Sequence, residues 1–70
     1  MMIQQQERKA WYNYYTKLKG IRDELRFFLK QHEFYYELSG SMNDWHFEIL
    51  LDEIELHIVN TFLESLNIDI

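Results

Sequence analysis

The side chains with the clearest chemistry in this chain are carboxylates of its second half. Glu48, Asp52 and Glu55 recur at i, i+4 and i+7, a spacing that aligns three negative charges in one row on a helix. Such a row suits one of two tasks. It flanks a basic row (Arg22, Arg26 and Lys30) on a neighbouring helix and fixes their pairing, or it stays in solvent and fills a partner's basic groove in place of nucleic acid. Close by, His46, Glu53, His57 and Glu64 share a polar face in helical projection. Glu53 and His57, at i and i+4, have the reach to ligate a divalent cation. Carboxylate centres in four-helix proteins use Glu-x-x-His on an inward face, whereas here three residues intervene and the face looks outward. No metal and no cofactor is expected, and a solvated helix face with an ion pair is the reading kept.

A second group lies near the N-terminus. Trp11, Tyr12, Tyr14 and Tyr15 stand among Arg8, Lys9, Lys17 and Lys19, a mixture that can stack bases and hold phosphates or anchor a protein interface. Three of these aromatics fall on the apolar seam of the first helix expected below. Tyr12 points elsewhere and is the one assigned to a partner. His32 falls among apolar neighbours and is read as a hydrogen-bonded core residue. The chain has no cysteine, no glycine-rich phosphate loop and no Ser-His-Asp set in a strand–turn–helix context, so it is read as not an enzyme.

Charge is divided along the chain. All seven basic residues lie in the first thirty positions with three acids, and the remaining forty hold nine acids and no Lys or Arg, which divides the net −5 into +4 and −9. The two halves are expected either to fold against each other or to present a bipolar surface. The polar start MMIQQQERK has no apolar signal-peptide core, and no run reaches the ~18 apolar residues that span a bilayer. The expectation is a cytoplasmic protein without membrane insertion.

The elements that must position these groups are read as helices, because the chain has no proline and only two glycines. Trp11, Tyr14, Leu18, Ile21, Leu25 and Phe28 alternate in steps of three and four, the heptad pattern of a helix over about residues 4–38. Leu38 to Asp44 reads as a loop, with Gly40 just past the first helix and Ser41 with Asp44 as a capping box. A second helix then covers about 42–66. The expected fold is all-α, an antiparallel helical hairpin in which residues 1–10 overhang or fray; a three-helix bundle broken at Gly20 is the alternative.

The second helix carries two apolar arcs. The hairpin mate covers one, so the arc of Trp45, Ile49, Leu56, Val59 and Leu63 is assigned to a dimer interface, two hairpins forming a homodimeric four-helix bundle. The functional expectation is a small protein-interaction module, a regulator or inhibitor of a larger protein, using Tyr12, Phe27, Phe34, Glu48, Asp52 and Glu55. An acidic nucleic-acid mimic is the runner-up. Direct contact of the basic, aromatic first helix with nucleic acid or a membrane surface ranks third.

Overall fold

A computed structural model of the protein describes residues 8–66. The order of elements is β1 (Ala10–Thr16), α1 (Lys19–Gln31), β2 (Tyr35–Ser41), β3 (Asp44–Leu51) and α2 (Glu53–Leu66). The strands form one antiparallel sheet in the order β1-β3-β2, so the last strand made lies in the centre. This α+β arrangement overturns the all-α expectation. Neither the hairpin of a 4–38 and a 42–66 helix, nor the four-helix bundle, nor the three-helix bundle broken at Gly20 is formed. The expected overhang of residues 1–10 falls mostly outside the described residues.

The correction begins at Trp11. Its three-and-four spacing to Tyr14 and Leu18 suits a helix, but Tyr12, Tyr14 and Thr16 also recur with period two. Aromatic and β-branched residues fit a pleated sheet surface better than a helix. The chain leaves β1 at Thr16, whose buried hydroxyl accepts a hydrogen bond from the Leu18 N–H at 3.1 Å. Helix α1 follows with a true helical stripe in which Ile21, Leu25, Phe28 and Leu29 turn inward, Leu25 and Leu29 fully buried. Gly20 lies in its first turn and marks no break.

Helix α1 ends at Gln31 instead of running on to Leu38. The Phe34 N–H donates to the Leu29 carbonyl at 3.0 Å and the Glu33 N–H to the Lys30 carbonyl at 3.1 Å. With Glu33 at φ 60, this is the paired-bond helix stop that normally uses glycine at the left-handed position. Gly40, expected to cap a helix, instead sits in β2 at φ 132. A Cβ there would collide with the Asp44 carbonyl oxygen and approach Trp45 Cα to 2.8 Å. Ser41 and Asp44 are the last register pair of the β2–β3 hairpin, which turns through Met42 and Asn43; they cap no helix.

The core lies between the inner face of the sheet and both helices. Phe47, Ile49 and Leu51 of β3 are buried against Leu25, Leu29 and Val59, with Tyr12, Tyr14, Tyr36, Leu38, Leu56 and Leu63 around them. Phe28 of α1 and Phe62 of α2 stack at 4.0 Å between ring centroids. Ile49 therefore meets Leu56, Val59 and Leu63 across the core of one chain, while Trp45, at the start of β3, lies under the Arg22 guanidinium. Of the arc assigned to a second copy, Ile49 and Val59 are each only 2% exposed within this one chain, and Trp45, Leu56 and Leu63 are half-buried.

Candidate functional site

Both helices cover one face of the sheet, and among the described residues the other face is open. Alternation along the strands puts Trp11, Asn13 and Tyr15 of β1, Tyr35, Glu37 and Ser39 of β2, and His46, Glu48 and Leu50 of β3 on that open side. Register arranges them in three rows: Trp11–Leu50–Tyr35, Asn13–Glu48–Glu37 and Tyr15–His46–Ser39.

The first row is an aromatic bridge. The Trp11 and Tyr35 rings meet edge to face, 5.8 Å between centroids, from either side of Leu50. In the third row Tyr15 and His46 stack nearly parallel at 4.3 Å. Trp11 is 49% exposed, Tyr15 65% and Tyr35 57%. Three large aromatics held in register on a sheet, each about half or more in water, form an exposed apolar patch.

The middle row is anionic. Glu48 and Glu37 face each other directly across β3 and β2, an arrangement that destabilises a sheet by like-charge repulsion. No Lys or Arg occurs in any of the three strands. Lys9, beside β1, reaches Glu55 instead, 3.3 Å from Nζ to Oε1. The Tyr35 hydroxyl donates to Glu37 Oε2 at 3.1 Å. That hydrogen bond, the Glu37 charge and slight desolvation all hold the phenol above its ordinary value. His46 Nε2 lies 2.8 Å from Asn13 Oδ1 and ties the middle row to the third.

Comparison with family models, with curated proteins and with solved structures yields no match.

The residues expected to bind a partner are dispersed. Glu48 alone stands on the open sheet face. Asp52 and Glu55 instead form a reciprocal cap at the start of α2. Phe27 is 62% exposed on the far side of α1, beside Asp23, Arg26 and Lys30. Tyr12 and Phe34 are half-buried and packed on the core. The basic row expected to oppose the acidic one is also dispersed. Arg22 pairs with Asp23 at 2.7 Å and covers the Trp45 ring at 4.7 Å.

The polar face expected from His46, Glu53, His57 and Glu64 is likewise divided between β3 and α2. His57 and His32 line a shallow apolar cavity with Phe28, Ile58 and Phe62, and among the described residues no three metal-ligating side chains converge. Sequence reasoning missed Trp11, Tyr15 and Tyr35 as a set. Their signal was the period-two alternation of outward aromatics with inward Tyr12, Tyr14 and Tyr36.

Proposed function

We propose that the protein is a non-enzymatic interaction module that binds a protein partner through the open face of its sheet. The observation that carries this reading is the exposure of Trp11, Tyr15 and Tyr35 in register on a face that no element among the described residues covers. Tyrosine and tryptophan are the side chains that anchor protein interfaces, because they bring large rigid area at little entropic cost. A sheet also holds them at fixed spacing before binding, which lowers the ordering cost of association. The cytoplasmic setting expected from sequence belongs to the same reading.

The alternatives draw less support from the geometry. A nucleic-acid mimic needs a run of carboxylates, and Asp52 and Glu55 are engaged in capping α2. Direct nucleic-acid binding could use the aromatic platform, but the row between the aromatics is anionic. Among the described residues no helix is long and apolar enough to cross a membrane.

A photo-crosslinking residue at Ser39, on the open face, tests the proposal against a matched one at Phe27 on the outer side of α1. A discrete adduct in cells from Ser39, lost on Trp11→Ala or Tyr35→Ala, is expected. An adduct from Phe27 with none from Ser39 would move the interface to the helix layer and overturn this reading.

A further inference from the structure

We propose that the partner presents an arginine side chain to this face, its guanidinium seated on the Glu37–Glu48 pair between the two aromatic rows. The inference rests on the open face being the interaction surface, and it names the chemistry recognised there.

The first support is the paired carboxylates. Glu37 and Glu48 are direct cross-strand neighbours, at the spacing where like charges oppose folding. The strands supply no cation to relieve them. Glu37 receives one neutral donor, the Tyr35 hydroxyl on Oε2. Glu48 is half-buried between Asn13 and Glu37, so its charge is partly withdrawn from water with no counter-charge among the described residues. A cation delivered by a partner would relieve repulsion that the free protein carries.

The second support is the aromatic frame, which selects the kind of cation. A guanidinium is planar, stacks on aromatic faces and presents a fork of N–H donors that matches carboxylate oxygens. Trp11 and Tyr35 on one side and Tyr15 on the other offer ring surface next to the carboxylates. Lysine can supply the charge, but its compact, strongly hydrated ammonium gains less from the rings.

The same charges argue against the other occupants. A second copy packed face to face would bring two Glu37–Glu48 pairs together. A nucleic acid would stack its bases on the aromatics but set its phosphates against those carboxylates.

The test uses isotope-labelled full-length protein titrated with a short glycine-flanked arginine peptide, and with its lysine and citrulline counterparts. The arginine peptide is expected to shift the amide signals of Asn13, Glu37 and Glu48 and the Trp11 indole, with the lysine peptide weaker and the citrulline peptide inactive. The Glu37→Gln/Glu48→Gln variant, which removes the repulsion and so folds at least as well, should weaken arginine binding by about tenfold or more, the loss of a charge-assisted pair. Equal binding of the arginine and citrulline peptides, or no effect of that variant, overturns the proposal. So do shifts of the same signals with oligo-uridine, or with protein concentration alone. If the Ser39 probe captures a partner that the arginine peptide cannot displace, the interface stands and the arginine assignment falls. If the Ser39 probe stays silent and the Phe27 probe reacts, the face itself is wrong.

Discussion

Asp52 and Glu55 hold each other's backbone. The Asp52 N–H donates to Glu55 Oε1 at 3.0 Å and the Glu55 N–H donates to Asp52 Oδ1 at 2.8 Å. This reciprocal arrangement satisfies the Glu55 N–H, free at the start of α2, and fixes the angle at which the chain leaves β3. Glu53 and Glu55 also place negative charge in the first turn, where the helix dipole favours it. Two carboxylates that look in sequence like a docking surface are thus occupied in starting a helix.

Asp52→Ala should therefore destabilise the fold by about 1 kcal/mol, the usual effect of losing such a cap. Asp52→Asn, which keeps the acceptor oxygen, should stay within a few tenths. Urea unfolding followed by circular dichroism separates the two. Equal midpoints for both variants would mean the cap contributes nothing.

Glu33 holds the left-handed backbone conformation at the end of α1, which is sterically unfavourable for a residue with a Cβ, by about 1–2 kcal/mol. Glu33→Gly should raise stability by roughly 0.5–1 kcal/mol after glycine's greater freedom in the unfolded chain is subtracted. Thermal unfolding measures it, and a lower midpoint would contradict the assignment. Gly40→Ala should act in the opposite direction, because its Cβ has no room beside Asp44 and Trp45.

Phe47 is completely buried on the central strand. Its truncation to alanine should remove about 3–5 kcal/mol, while a domain of this length has only about 4–10 kcal/mol in total. The Phe47→Ala chain should lose about a third or more of that, its amide dispersion collapsing at urea concentrations where the parent's persists. Trp11→Ala, on the opposite face, should leave that dispersion intact.

The Tyr35 phenol, held above its ordinary value by its hydrogen bond to Glu37 and by the Glu37 charge, should ionise at higher pH in the native protein than in the Glu37→Gln variant, read by spectrophotometric titration. A group whose folded value is raised contributes stability that is fully present below its unfolded value, near 10, and lost as pH climbs through the folded value. Stability from this contact should therefore hold through neutral pH and vanish only in strong alkali. Identical Tyr35 titrations with and without Glu37→Gln would mean the contact contributes nothing.

Some of this architecture is legible in the residues. The stripe Ile21, Leu25, Phe28 and Leu29 and the stripe Leu56, Val59 and Leu63 have helical periods, and both lie on helices. The strands were harder to read because two periods coexist in the same letters. Trp11, Tyr14 and Leu18 mark a helix, while Tyr12, Tyr14 and Thr16 mark a strand, and what decides is pairing with the distant β3, from Thr16 with Trp45 to Ala10 with Leu51.

The missing boundary at Glu33 has a local cause. Helix stops are recognised by glycine, and here glutamate takes that conformation, so nothing in the letters interrupts a continuous helix. The Asp-x-x-Glu of Asp52 and Glu55 was the readable sign of a helix start. It was obscured because Glu48 completes a helical row with them. The open aromatic face became visible only once strand pairing brought Tyr35 beside Trp11.

The placement of β3 between β1 and β2 has a consequence for how the molecule is made. Ala10 pairs with Leu51 and Thr16 with Trp45, so the first of these three strands to be synthesised has no neighbour until the third is made. Until Leu51 has emerged, Trp11, Tyr12, Tyr14 and Tyr15 travel as an unpaired, aromatic nascent segment, open to chaperones and to the same segment on adjacent chains. Completion should proceed by closure of the short β2–β3 hairpin followed by capture of β1 across a long loop, the slow step that such distant pairing imposes.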